Sequence, residues 1–423
     1  MRYFSTNRSS PNAGFREATI LGQPDDKGLY FPERIPRLSK EFLHSFRDMP
    51  NDAIAVEVIK PYVGDAIDDE SLRHICAETV DFEFPLVEIS DRISAVELFH
   101  GPTLAFKDVG ARFMSRCLRY FGSGRKTVVL VATSGDTGGA VAAGFHGVEG
   151  VDVVILYPKG KVSRVQELQL TTLGGNVTAI EVDGVFDDCQ AMAKGALADR
   201  EIEDEIFLTS ANSINIARWL PQQFYYFFAL KQWHGDAPVF CIPSGNFGNI
   251  CAGLLAHVSG MPACGFIAAC NANAVVPEFL STGNYEPKPS VSTLSNAMDV
   301  GNPSNFVRVL ELFDREFDQV TKSLSAISIS DEQTVDTMRD VFEKFGYILD
   351  PHGAVAYRAL EDSGRRGVVL ETAHPIKFDS VAEILGIRPD VPGSVAGLFD
   401  RPSEKLEMAV DQEKLKEIIL SKI

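Results

Sequence analysis

Lys126-Thr127-Val128-Val129-Leu130-Val131-Ala132-Thr133-Ser134-Gly135-Asp136-Thr137-Gly138-Gly139-Ala140 runs from a strand into a helix through a turn of glycines and hydroxyls. The β-branched run at 126–131 reads as a buried strand, and the small residues from Gly138 to about Phe145 read as the helix that follows. Runs at 151–156 and 177–182 repeat the strand signal, with a helix near 164–172 between them. Continuous apolar strands separated by helices imply parallel pairing through right-handed crossovers, so the class is α/β.

Outward from this unit the pattern recurs. A second series opens at Pro238 with a strand at 239–242, a Gly-rich turn, a helix near 250–258 and a strand at 265–269. A last core strand falls at 366–371, followed by a helix at 380–385. The stretch 283–303 is rich in Gly, Pro, Ser and Asn. So long an irregular segment inside a compact domain is more often a functional loop or lid than a packing element. The first ninety or so residues mix helix-like segments with turn clusters such as 23–28 and a short extended piece at 28–33, and read as a cap on the main body. The expected division is an N-terminal α+β segment at 1–95, a smaller α/β part at 96–235 and a larger one at 236–423.

With 423 residues the chain can bury a large core in two or three domains. Its 40 Lys+Arg against 58 Asp+Glu give a formal charge of −18, which opposes nucleic acid or anionic membrane as a partner. A small anion remains compatible if a few basic residues converge. No secretory signal and no apolar run of bilayer length is present, so the expected compartment is the cytoplasm. The cysteines at 76, 117, 189, 241, 251, 264 and 270 are scattered without CxxC spacing and read as reduced core residues; no metal site is expected.

Chemistry concentrates in a few stretches. Lys107 lies in His100-Gly101-Pro102-Thr103-Leu104-Ala105-Phe106-Lys107-Asp108, ahead of a helix-like 111–118. An amine among apolar residues loses hydration, which lowers its pKa and makes the neutral nucleophile accessible. An isolated lysine there is more often a solvated one paired with Asp108 or lying over its neighbours. Two turns feeding helices, 133–138 and Pro243-Ser244-Gly245-Asn246-Phe247-Gly248-Asn249, are each suited to hold an anion on free N–H groups and the helix dipole. Neither fits a nucleotide motif: Phe121-Gly122-Ser123-Gly124-Arg125-Lys126-Thr127 lacks P-loop spacing, and no G-x-G-x-x-G follows the first strand.

Lys107 in HGPTLAFKD, then ATSGDTGG, then NSIN at 212–215 with Arg218, then SGNFGN, and finally Thr372 in ETAHPIKF occur in that order. Together with the N-terminal Tyr3-Phe4-Ser5-Thr6 and Gly28-Leu29-Tyr30, they resemble the threonine synthases. These are fold type II enzymes, similar to tryptophan synthase β, that use pyridoxal 5'-phosphate. The resemblance spans nearly the whole chain and implies two parallel-sheet α/β domains. SGNFGN or SGDTG alone would indicate only the superfamily.

The resemblance assigns roles. Lys107 would anchor the cofactor covalently and later carry protons between substrate carbons. Gly245, Asn246, Phe247, Gly248 and Asn249 would bind the cofactor phosphate, and Thr372 would meet the pyridine nitrogen. Thr133, Ser134 and Thr137 would grip the substrate's carboxylate, with Asp136 beside the cofactor's phenolic oxygen. Many fold type II relatives carry Asn at this position. An ionised Asp136 must therefore share a proton, find a cationic partner or point away. Asn212, Ser213 and Arg218 would bind the substrate phosphate, with Thr133 and Thr137 as candidates to assist, the guanidinium supplying local positive charge in an acidic protein. His100 and His374 are expected to support the pocket, whereas His146, His257 and His352 read as structural or exposed.

The implied reaction converts O-phospho-L-homoserine and water to L-threonine and phosphate, by γ-elimination followed by addition of water at Cβ. Alternatives are a related phospholyase, a threonine or serine dehydratase, or a catalytically inactive pyridoxal-phosphate-binding protein. A simple dehydratase needs no phosphate group around Arg218. The expected assembly is a monomer or homodimer.

Overall fold

The computed structural model describes residues 1–122 and 125–422. Two mainly parallel sheets carry the architecture. The first has six strands in the order Leu324–Ser328, Gly265–Cys270, Val239–Pro243, Gly367–Glu371, Ile93–Glu97 and Leu86–Glu88. Every neighbouring pair is parallel except the edge strand Leu86–Glu88, which runs antiparallel to Ile93–Glu97. The second is wholly parallel, in the order Leu406–Ala409, Val177–Asp183, Val151–Pro158, Thr127–Ala132 and Phe207–Ser210. A small antiparallel sheet of Ala13–Gly14, Arg2–Ser5 and Tyr30–Pro32 forms the N-terminal cap.

Alternation along each strand explains why both faces are apolar. Phe240 and Ile242 join a large cluster with Tyr226, Leu254 and Phe266, whereas Val239 and Cys241 face Val355, Ala359 and Val369 on the other side. In the second sheet Val129 and Val131 enter the same large cluster, while Val128 and Leu130 pack with Cys189 and Met192. The cluster shared by both sheets includes the helix Phe224–Gln232, which is apolar around its circumference and buried from Phe224 to Leu230. Arg308, fully buried, ties the cap to this body by donating to Tyr30 O at 2.9 Å and Ile214 O at 2.6 Å, with its guanidinium over Trp219.

Several boundaries differ from the sequence expectation. The lysine helix is Lys107–Phe121, so Lys107 is its first residue rather than lying ahead of it. The two anion-loop helices begin earlier than expected, as Asp136–Phe145 and Gly248–Val258, because Asp136 and Thr137 in the one, and Gly248 and Asn249 in the other, are taken into the first turn. Sheet membership does not follow cuts at 95 and 235. Ile93–Glu97 pairs with Gly367–Glu371, and Leu406–Ala409 returns to pair with Val177–Asp183. Of the seven cysteines, Cys264 is exposed and the other six are buried; all are free. Among the described residues no helix is long and apolar enough to cross a membrane.

Candidate active site

Parallel sheets present ligand sites beyond the carboxyl ends of their strands. The loops carrying the chemistry leave such ends: 98–106 after Ile93–Glu97, 372–374 after Gly367–Glu371, 244–247 after Val239–Pro243, 133–135 after Thr127–Ala132, and 211–215 after Phe207–Ser210. A cavity of ≈ 410 Å³ lined by Ile20, Arg119, Val151 and Phe207 lies at the opposite, amino ends of the second sheet and contains none of these residues.

The loop before Lys107 is held from three sides. Phe106 N donates to Thr372 O at 2.8 Å and His374 N to Leu104 O at 3.0 Å, which joins the lysine loop to the Thr372 segment. The Tyr225 hydroxyl donates to Phe106 O at 2.5 Å. Asp108 turns away from Lys107 and accepts from Thr103 N at 2.9 Å and from the Thr103 hydroxyl, so the two acidic and basic neighbours in sequence do not pair. Gly101 allows this close approach, since a Cβ there would fall 2.5 Å from Asp108 Oδ2. Leu104 adopts φ 57°, a left-handed conformation that a buried leucine keeps only when its surroundings enforce it. Lys107 is half-buried, and loss of hydration pushes its amine below the ordinary range. Asp136 opposes that shift, while Lys377 and Arg218 reinforce it.

In the loop after Thr127–Ala132, the Thr133 hydroxyl accepts from Gly135 N at 3.0 Å and Gly138 N at 2.8 Å, so it shapes the turn. Ser134 and Thr137, in the same turn, are half-buried. Gly135 sits at φ 137°, and a Cβ there would collide with the Gln166 side chain. Gln166 Nε2 donates to Asp136 Oδ1 at 3.0 Å. Asp136 finds its cationic partner in Lys377, whose Nζ lies 2.7 Å from Oδ1. Although burial alone would raise the Asp136 pKa, Lys377, Lys107 and Gln166 together hold the carboxyl well below the usual range, so it is ionised. Lys377 is itself 0% exposed in its side chain and also donates to Thr103 O at 2.7 Å. Breaking a buried pair of this kind by removing one partner costs roughly 3–5 kcal/mol.

The second anion loop is built for close approach. Phe247 takes φ 60° ahead of the helix Gly248–Val258, and no backbone N–H from Gly245 to Asn249 donates to a backbone carbonyl among the described residues. Asn249 is fixed by the Tyr226 hydroxyl, which donates to its carbonyl and its side-chain oxygen, both at 2.9 Å. Its buried Nδ2 has no partner among the described residues. A Cβ at Gly245 would lie 2.6 Å from Met298 Cα, so the irregular 283–303 segment backs this loop directly. That segment is pinned by Asp299, which accepts from Asn271, Asn273 and Thr293.

Asn246 links the loop to the 212–215 segment. Its Nδ2 donates to Ser213 Oγ at 2.9 Å, while its Oδ1 accepts from Ser304 N at 2.7 Å. Asn212 and Ser213 are half-buried beside it. Arg218 is 3% exposed and donates through Nη1 to Ala211 O, yet its Nε has no partner among the described residues. It packs against the lysine helix, since a Cβ at Gly110 would come 3.1 Å from that Nε. Burial lowers the guanidinium pKa to about 10, with only weak compensation from Tyr225 and Asp108.

Thr372 is 7% exposed at the end of strand Gly367–Glu371. The preceding Glu371 is fully buried, and burial followed by the neighbouring Asp350 raises its pKa well above normal. Asp350 also accepts from His352 Nδ1 at 2.6 Å, which makes His352 a buried structural histidine. His374 is held near pKa 4 by burial and by the adjacent His100, and its Nδ1 accepts from Ile376 N at 3.2 Å. Sequence reasoning missed Lys377, Gln166, Tyr225 and Glu371 as parts of the site. Lys377 and Glu371 flank Thr372 inside the quoted ETAHPIKF stretch, so a charged residue between apolar ones was the available signal.

The donor set fits a phosphorylated cofactor with an aldehyde: an amine of lowered pKa, unpaired backbone N–H groups at a helix start, the unpartnered Asn249 Nδ2, and a buried hydroxyl at Thr372. Comparisons with known proteins agree. Residues 88–371 match the family model of pyridoxal-phosphate dependent enzymes, residues 2–80 that of the threonine synthase N terminus, and residues 353–419 that of the threonine synthase C-terminal region. The threonine synthase of Serratia marcescens is 43% identical over 94% of this chain and 94% of its own. The crystal structure of threonine synthase from Escherichia coli superposes with a TM-score of 0.93 at 41% identity, covering 100% of both chains. A pyridoxal-phosphate-bound threonine synthase from Brucella melitensis gives 0.93 at 34% identity, over 100% of this chain and 99% of that one. Matched from end to end at these identities, the chain belongs to the threonine synthase family of pyridoxal-phosphate-dependent enzymes.

Proposed function

We propose that the enzyme acts on O-phospho-L-homoserine, releasing phosphate from Cγ and adding water at Cβ to give L-threonine. The observation that carries the substrate is Arg218, a buried guanidinium with an unpartnered Nε beside the lysine helix. A phosphate dianion is the chemistry that such a group satisfies.

When bound, pyridoxal phosphate supplies an electron sink that acidifies the substrate's carbons. The chain's own residues do the rest. Lys107 anchors the cofactor and, once freed, takes and returns substrate protons, for which its lowered pKa suits it. The N–H groups of Gly245, Asn246, Phe247, Gly248 and Asn249, with Asn249 Nδ2, hold the cofactor phosphate. The Thr372 hydroxyl meets the ring nitrogen. The Ser134 and Thr137 hydroxyls hold the substrate carboxylate on a turn shaped by Thr133. Asn212, Ser213 and Arg218 hold the leaving phosphate and orient it. Asp136, neutralised by Lys377, stands beside Lys107 without presenting net negative charge to these anions.

The test is incubation of the loaded enzyme with O-phospho-L-homoserine, analysed for phosphate, threonine and 2-oxobutanoate. Threonine in step with phosphate supports the reading, and phosphate release without threonine refutes it in favour of a phospholyase. Lys107→Ala is expected to abolish both turnover and the near-visible absorbance of the loaded protein.

A further inference from the structure

Lys377 occupies an unusual place for a lysine. Its side chain is 0% exposed on the short turn Pro375–Lys377, and its ammonium spans two elements, the Asp136 carboxylate at 2.7 Å and the Thr103 carbonyl at 2.7 Å. Thr103 belongs to the loop that delivers Lys107, and Asp136 starts the helix of the opposite loop. The charged groups facing Lys107 are Asp136, Lys377 and Arg218. Those acting on Asp136 are Lys377, in direct contact, and Lys107, so one carboxylate is felt by two amines. Around Lys377 itself stand Asp136, Asp108 and His374.

We propose that Lys377 is a positioning residue for the lysine chemistry: by binding the Asp136 carboxylate it stops Asp136 from holding the Lys107 amine as an ammonium. This rests on the reading of Lys107 as the reacting amine. An opposite charge nearby favours the protonated form of an amine, and a like charge disfavours it. With Lys377 in place, the carboxylate is already taken by a direct ion pair and by Gln166. Without it, Lys107 is the remaining cation acting on the carboxylate among the described residues. The arrangement also explains how an aspartate is tolerated where anionic ligands are expected, since the pair is neutral as a unit.

The experiment titrates the Lys107 amine in the full-length protein freed of cofactor, by trace reductive methylation across a pH series with the Lys107 peptide quantified by mass spectrometry. The pH dependence of the loaded enzyme's absorbance is followed in parallel. In Lys377→Met the Lys107 midpoint should move to higher pH by about one unit or more. In Asp136→Asn it should move to lower pH, because Lys377 is then uncompensated. In the double variant it should return to within about half a unit of wild type. Asp136→Asn and the double variant keep the test decisive if Lys377→Met does not fold. Unmoved midpoints in the folded variants overturn the proposal. If borohydride trapping of the loaded wild type marks a lysine other than Lys107, the functional reading itself fails, which is a distinguishable result.

Discussion

Replacing Arg218 by methionine should separate function from stability. Arg218 is 3% exposed, forms no ion pair among the described residues, and leaves Nε unpartnered. Its fall to a pKa of about 10 corresponds to roughly 3 kcal/mol of unfavourable charge burial. The Nη1 bond to Ala211 O offsets about 1.5–3 kcal/mol of that. Methionine keeps most of the packing volume and removes the charge, so folding stability should be unchanged or higher by about 1 kcal/mol. Substrate should suffer. Two charge-assisted hydrogen bonds to a phosphate, at about 1.5–3 kcal/mol each, correspond to roughly a hundred- to ten-thousand-fold loss in kcat/KM for O-phospho-L-homoserine. Urea denaturation of the cofactor-free protein and steady-state phosphate release measure the two effects. A variant that is clearly less stable, or one that keeps wild-type kcat/KM, would refute the view of Arg218 as a strained group held for substrate.

Gly135→Ala should cost about 1–3 kcal/mol in backbone strain at φ 137° and more through displacement of Gln166. In a Gln166→Ala background only the strain should remain, so equal losses in both backgrounds by urea denaturation would remove the steric argument. His374 is depressed to about 4 in the folded protein against about 6.5 when unfolded. Its contribution is therefore fully present above pH 6.5 and lost as pH falls towards 4. The melting temperature of His374→Asn should decline less than wild type across that window, and parallel curves would show that another group is responsible.

The parallel α/β class and the order of the glycine-rich loops were legible because each has a local cause, whereas Lys107 stood out only through the resemblance carried by five motifs together. Apolar runs such as 127–132 and 239–242, alternating with helical segments, are what strands buried on both faces of a parallel sheet look like. Glycine and hydroxyl residues after them favour a tight turn into the next element. Boundaries were less legible where a residue of positive φ sets the helix start, as Gly135 does before Asp136 and Phe247 before Gly248. The fate of 283–303 was not legible at all, because its order comes from Asp299 meeting Asn271 and Asn273, and from Met298 lying against Gly245.

The sequence by itself determined which residue types stand at the ends of which strands, since periodicity and turn chemistry act over a few neighbouring residues. Tertiary structure alone decided which of them meet. It placed Ile93–Glu97 beside Gly367–Glu371 and returned Leu406–Ala409 to the second sheet. It turned Asp108 away from Lys107 and set Lys377 against Asp136. It also left Arg218 and Asn249 with unpartnered donors. Those outcomes depend on desolvation and on charge contacts between segments far apart in the chain, and neither is fixed until the two sheets close on their common core.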